Sequence, residues 1–191
     1  MDRLILLLGI NGCGKGTIGK MLANAGYGEY FSTGDWVRSL LATGHTKGLE
    51  GVNQGNMAGN DLINPKVRTK LSDINPGGLV LDGYIRDIEQ AGLFLGMNEE
   101  FGLSEGLTVF NFVGVSDELA FHRCFNRKDR REDDTRESIL TRIGIFHERV
   151  EPAIEVLRKG LSPEQFFDID GSGTPRQVFK ETISFLPVSV E

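Results

Sequence analysis

The chain has 191 residues, a net charge of −6 and two cysteines: enough length for one domain with its own core, too acidic for a non-specific nucleic-acid binder, and too few cysteines for a disulfide framework or a metal cluster. The longest apolar run, Leu4 to Leu8, falls well short of the roughly 20 residues of a bilayer span. The amino terminus carries no basic region followed by an apolar stretch and a cleavage site, so a cytoplasmic protein without membrane contact is expected.

Leu4–Leu8 ends in glycines and reads as a strand buried on both faces of a parallel sheet. A helix follows from Gly14 to Ala25, stopped at Gly26. Glu29–Ser32 is a second short strand, and Asp35–Ala42 a helix capped at Thr33. Gly44 to Gly59 is punctuated by glycine and should be irregular or short-helical. Asn64-Pro65 reads as a helix start, Pro76-Gly77-Gly78 as a turn, and Leu79–Leu81 as a buried strand ending at Asp82-Gly83. Asp87–Met97 is a predicted helix and Leu107–Val113 a strand. Ser116-Asp117-Glu118 opens another helix. Thr135–Lys159 has helical periodicity with a kink at Pro152, Phe166–Ile169 is a fifth strand, and Pro175–Leu186 a last helix capped by Thr174. Alternation of strands and helices predicts a three-layer α/β fold, with a five-stranded parallel sheet and helices on both faces; the loop after the first strand, taken next, makes the expected fold one of the P-loop NTPase type.

The first strand runs into Gly9-Ile10-Asn11-Gly12-Cys13-Gly14-Lys15-Gly16-Thr17. Three glycines between a strand and a helix let backbone N–H groups converge as an anion nest, and Lys15 adds a mobile positive charge for the outer phosphates. A nucleoside triphosphate is the expected ligand, held by Gly12, Cys13, Gly14, Lys15, Gly16 and Thr17. Phosphate loops commonly carry a hydroxyl residue directly after the lysine as a magnesium ligand; here Gly16 stands there, so the metal must lean on other groups through water. Cys13, near a helix N-terminus and a lysine, sits where a thiolate is favoured. Basic residues crowd one stretch: Arg123, Arg127, Lys128, Arg130, Arg131, Arg136, Arg142 and Arg149. In an acidic protein such a stretch suits a compact polyanion better than a duplex.

The Gly-Lys-Gly-Thr form of the loop resembles the adenylate kinase family of nucleoside monophosphate kinases, and the resemblance runs through most of the chain. Ser32-Thr33-Gly34-Asp35-Trp36-Val37-Arg38 is similar to the family's monophosphate-site segment. It implies Thr33 and Gly34 near the AMP, Arg38 on the acceptor phosphate and Asp35 organising magnesium-bound water. Gly59-Asn60-Asp61-Leu62-Ile63 looks like the segment that closes over the acceptor base, which brings in Ile63. Leu81-Asp82-Gly83-Tyr84-Ile85-Arg86 is similar to the family's Asp-Gly-Phe-Pro-Arg signature. It implies Asp82 as the magnesium-organising carboxylate, Gly83 at the AMP and Arg86 on the acceptor phosphate. Gln90 stands where the family reads adenine; its donor and acceptor match that base.

Arg123 and Arg127, four apart on one helix face, resemble the pair flanking the ATP. Arg131, Asp133-Asp134 and Arg142 resemble the lid arginines and their carboxylate partners, with Arg131 and Arg142 also reaching the AMP. Asp170-Gly171 resembles the late loop beside the donor adenine. Asn11 replaces the family's loop proline, and Tyr84-Ile85 replace Phe-Pro.

The resemblance implies a single kinase domain: core 1–34, 65–126 and 135–191, a monophosphate-binding segment 35–64, and a short lid 127–134 without room for a structural zinc. It implies a monomeric, cytoplasmic ATP:AMP phosphotransferase that uses Mg2+ with ATP and gives two ADP. Lys15, Asp82, Arg86, Arg123, Arg131 and Arg142 would be the catalytic set. The cationic site should open and close as the lid and the 35–64 segment swing. Alternatives are a UMP/CMP kinase, a kinase of a small metabolite, or a nucleotide-binding regulator without catalysis; Thr33 and Gln90 favour AMP.

Overall fold

Strand β1 (Leu4–Gly9) is buried along its whole length. Leu4, Leu6 and Leu8 join one apolar cluster while Ile5 and Leu7 join another, which is what a strand covered on both faces requires. Each buried leucine or isoleucine here is worth roughly 1.5–3 kcal/mol, so β1 is the firm base from which the following loop departs. The computed structural model describes residues 3–127, 131 and 133–187. Lys128, Arg130 and the rest of the stretch between Arg127 and Asp133 where a lid was expected, apart from Arg131, lie outside the described residues.

The other strands are β2 (Glu29–Ser32), β3 (Leu79–Asp82), β4 (Leu107–Val113) and β5 (Phe166–Asp170), all parallel, in the order β2-β3-β1-β4-β5. Leu6 pairs with Leu81 on one side and with Val109 on the other. The helices are α1 (Lys15–Asn24), α2 (Thr33–Ala42), α3 (Asn60–Ser72), α4 (Ile88–Glu100), α5 (Asp117–Phe125), α6 (Arg136–Ile145), α7 (Glu151–Gly160) and α8 (Pro175–Ser184). Val67 and Leu71 of α3, Phe94 of α4 and Leu157 of α7 cover the face of Leu4, Leu6 and Leu8. Ile18 and Leu22 of α1, Ala120 of α5, Ile139 of α6 and Val178 of α8 cover the face of Ile5 and Leu7. The three-layer, five-stranded α/β fold expected from the sequence is therefore the observed one.

Three local expectations are corrected. The cap of α2 is Ser32, whose hydroxyl accepts from Asp35 N, because the Thr33 hydroxyl is spent on Gly83 O at 2.7 Å. Helix α3 starts at Asn60, so Pro65 lies inside it; the N–H it lacks would have met the carbonyl of the exposed Asp61, which water can serve. The bend expected at Pro152 is realised as one π-type turn, Phe146–Val150, joining α6 to α7. Among the described residues no helix is long and apolar enough to cross a membrane.

Candidate active site

The loop between β1 and α1 is shaped by its glycines. Gly9, Gly12 and Gly14 have φ of +129°, +89° and +104°, values that side chains rarely tolerate. A Cβ on Gly12 would lie 2.6 Å from Ala120 O of α5, whereas one on Gly14, at the N-cap of α1, meets nothing within 4 Å. The loop is thus pressed against α5 on one side and open on the other, with the amino end of α1 facing the opening. Lys15 Nζ donates to Gly9 O at 2.6 Å and Ile10 O at 3.0 Å, and stands 3.5 Å from Cys13 Sγ. Cys13 itself is 1% exposed and packs in the core, which keeps solvent-borne oxidants from it.

A second polar group gathers at the carboxyl ends of β2 and β3, where open parallel sheets place their ligands. Thr33 Oγ1 donates to Gly83 O, and Arg86 Nε donates to the same carbonyl at 2.7 Å. Gly83 has φ +77°, and a Cβ there would lie 3.0 Å from the Arg86 guanidinium and 3.3 Å from Thr33 Oγ1. The Gln90 side chain is 1% exposed: its carbonyl oxygen accepts from Arg86 N at 2.9 Å and its amide donates to Asn60 Oδ1 at 2.9 Å. Asn60 in turn donates to Asp87 and Glu89. Ile63 is buried in the core and reaches the same cavity. Asp82, at the end of β3, accepts from the Tyr30 hydroxyl at 2.7 Å. Burial, and then the charge of Asp82, push the Tyr30 phenol well above its ordinary value, so it stays a donor.

The arginines bridge the two groups. Arg123 NH1 donates to Gly171 O and NH2 to Ser172 O, each at 2.7 Å, so the late loop's carbonyls here hold an arginine. Arg127 pairs with Asp134 at 3.1 Å. Arg142 pairs with Asp134 at 3.0 Å and Asp133 at 3.5 Å. Asp35 pairs with Arg38 and, at 3.6 Å, with Arg131, so its charge is engaged by arginines. Burial pulls the Arg86 guanidinium below its ordinary range; Asp82 opposes this, while Arg142 and Arg38 add to it. Arg131 is lowered likewise by burial, Arg38 and Arg127. These cations repel one another across a shared space, the field a polyphosphate would neutralise.

That space is one cavity of about 950 Å3, lined by the phosphate loop, Thr33, Gly34, Asp35, Arg38, Asp82, Arg86, Gln90 and the arginines 123, 127, 131 and 142. The 44–59 stretch forms one wall: Gly55 packs so closely on α6 that a Cβ would lie 2.5 Å from Ser138 O. Sequence reading had singled out most of the lining. Tyr30, which also lines the cavity, carries no such signal, and the supporting contacts of Asn60 and Gly19 depend on partners remote in the chain.

Residues 7–161 match the family model described as adenylate kinase. An adenylate kinase of Prochlorococcus marinus is 30% identical over 174 residues, 89% of this chain and 92% of the relative. One of Parasynechococcus marenigrum is 32% identical over 84% of this chain and 88% of its own length. One of Encephalitozoon cuniculi is 27% identical over 93% of this chain and 94% of its own.

Proposed function

Because the chain belongs to the adenylate kinase family, we propose that it transfers the γ-phosphoryl of ATP to AMP reversibly, giving two ADP, with the phosphate loop as donor site and the Thr33–Gln90 end as acceptor site. The observation that carries this reading is the single cavity in which the phosphate loop faces Arg38, Arg86, Arg131 and Arg142. Gly12, Cys13, Gly14, Lys15, Gly16 and Thr17 would hold the ATP phosphates, with Arg123 and Arg127 beside them. Thr33, Gly34, Ile63, Gly83 and Gln90 would enclose AMP, and Arg38, Arg86, Arg131 and Arg142 would hold its phosphate. Residues 1–34, 65–126 and 135–191 would act as the core, 35–64 as the monophosphate-binding segment and 127–134 as a lid. We read the chain as a cytoplasmic monomer.

Phosphoryl transfer asks the protein for alignment and charge neutralisation. The acceptor is already an anion, so no general base is needed, and guanidinium forks match phosphate oxygens in permanent charge and in geometry. Lys15 must leave the carbonyls of Gly9 and Ile10 to reach the donor phosphates. Arg86, set by Gly83 O, would grip the acceptor phosphate. Covering the cavity would keep water from competing as acceptor.

Mg2+ is the metal the family implies, and the donor set fits it. Among the described residues no three or more His, Cys, Asp or Glu side chains gather as a cage, and Mg2+ prefers one or two carboxylates, waters and substrate phosphates to such a cage. Asp82, reached through water, would hold it. Bound with ATP, the ion would supply charge neutralisation at the donor phosphates.

The test is a coupled assay of ATP against AMP, CMP, UMP and GMP. Strong preference for AMP is expected if Gln90, at the acceptor end, exchanges its bonds with Arg86 N and Asn60 for the adenine edge. Equal or faster turnover of CMP or UMP would make the protein a pyrimidine nucleotide kinase, and transfer to none of the four would leave a silent nucleotide binder.

A further inference from the structure

We infer that Tyr30 is a positioning residue of the transfer site: its phenol takes the place of the hydroxyl that phosphate loops usually carry directly after the lysine, and it fixes Asp82 for the metal that accompanies the donor phosphates. The inference rests on the cavity being the ATP–AMP site proposed above.

Tyr30 lies on β2, beside β3, with Ser32 in register with Asp82. Its hydroxyl reaches Asp82 Oδ2 at 2.7 Å, and both residues line the cavity. The ring rests on α1. A Cβ added to Gly19 would overlap Tyr30 Cε2 and lie 2.7 Å from its Cδ2. A Cβ added to Gly16 would lie 3.3 Å from the Tyr30 oxygen and 3.7 Å from Asp82 Oδ2. Gly16 and Gly19 are three apart on one helix, hence on one face, and together they form the slot that admits the ring.

The slot fits the glycine that the Gly-Lys-Gly-Thr form carries at position 16. A serine or threonine there would project its side chain toward the point the phenol oxygen occupies, beside the same carboxylate. A side chain at position 16 would be tight against the phenol oxygen, so the two hydroxyl sources compete for one space, and this chain fills it from β2. Glycine inside a helix is costly relative to alanine, yet α1 carries it at both positions that meet Tyr30. Packing alone would be served by phenylalanine. The hydroxyl is needed for its bond to Asp82, a carboxylate at the edge of the phosphate loop. Groups that orient a metal's carboxylate from behind govern metal affinity as the ligands themselves do.

Tyr30→Phe keeps the ring in its slot and removes the O–H. The direct readout is Mn2+ binding to the protein saturated with a non-hydrolysable ATP analogue, followed by the paramagnetic resonance of free Mn2+. Affinity should fall roughly tenfold or more, with turnover at limiting Mg2+ falling in parallel. The KM for AMP and the metal-free affinity for the analogue should stay put, and the melting temperature should fall only by the few degrees that one lost hydrogen bond removes. Adding Gly16→Ser to Tyr30→Phe supplies a hydroxyl from α1 into the vacated space and should restore Mn2+ binding. Unchanged Mn2+ affinity in Tyr30→Phe, or equal losses with and without metal, would overturn the inference. Failure of the unsubstituted protein to phosphorylate AMP would sink the functional reading separately, while the Mn2+ comparison would still decide the role of Tyr30.

Discussion

Arg86→Ala is expected to lower turnover with ATP and AMP at least about a hundredfold, some 3 kcal/mol of transition-state stabilisation, while the fold survives. A single arginine at transferring phosphoryl oxygens can contribute ~10³–10⁵ in rate in related chemistry, so this figure is a lower bound. The structural cost is small. Arg86 donates one side-chain bond within its own turn, to Gly83 O, worth about 1 kcal/mol. Its removal relieves repulsion from Arg142 and Arg38 but takes a favourable charge away from Asp82, which keeps its bond from Tyr30. Thermal melting beside steady-state kinetics checks both halves: an unchanged transition with collapsed turnover is the expected pair. Near-normal turnover in the pure variant would remove Arg86 from the site.

Arg142→Ala should behave differently, although both arginines line one cavity. Arg142 donates to Asp134 Oδ1 at 3.0 Å, to Asp133 O at 2.7 Å and to Ser138 O at 3.2 Å. The Asp134 side chain is 0% exposed. Deleting one partner of a buried ion pair costs about 3–5 kcal/mol. Arg127 still reaches Asp134 Oδ2 at 3.1 Å, so the lower end is expected. That is a large share of the 5–15 kcal/mol that holds a typical domain folded. Activity should fall as well. Adding Asp134→Asn should then recover part of the stability, by removing the uncompensated charge, but none of the activity. Chemical denaturation of the four proteins in that cycle, with turnover measured alongside, checks it. Full stability in Arg142→Ala would contradict this account of the lid.

What the sequence made readable follows a physical line. Strand β4 falls where its apolar and β-branched run puts it, and β1 and β3 differ by one residue at their ends, because strands inside a parallel sheet advertise themselves by composition; the edge strand β2 was legible as a short aromatic stretch between glycine and the helix that follows. The phosphate loop was readable because its glycines and lysine have fixed spacing. The start of α3 was not: Gly59 offers no side-chain cap, and Pro65 supplied a stronger but misleading start signal. Ser32 and Thr33 both carry a hydroxyl, and only the approach of Gly83 O to Thr33 decides which one caps α2. Tyr30 and Asn60 escaped for a related reason. Their partners lie 52 and 30 residues away, at Asp82 and Gln90, and nothing local distinguishes them from an edge-strand tyrosine or a loop asparagine. Gly19 reads as an ordinary helix glycine until the ring of Tyr30 is laid across it.

On the proposed function, two nucleotides meet phosphate to phosphate in one cavity. Calorimetric titration with a bisubstrate analogue, two adenosines joined through a chain of five phosphates, tests it most directly. One molecule per chain, competing with both ATP and AMP, is the predicted result. Two molecules per chain, or competition with only one of the nucleotides, would contradict it.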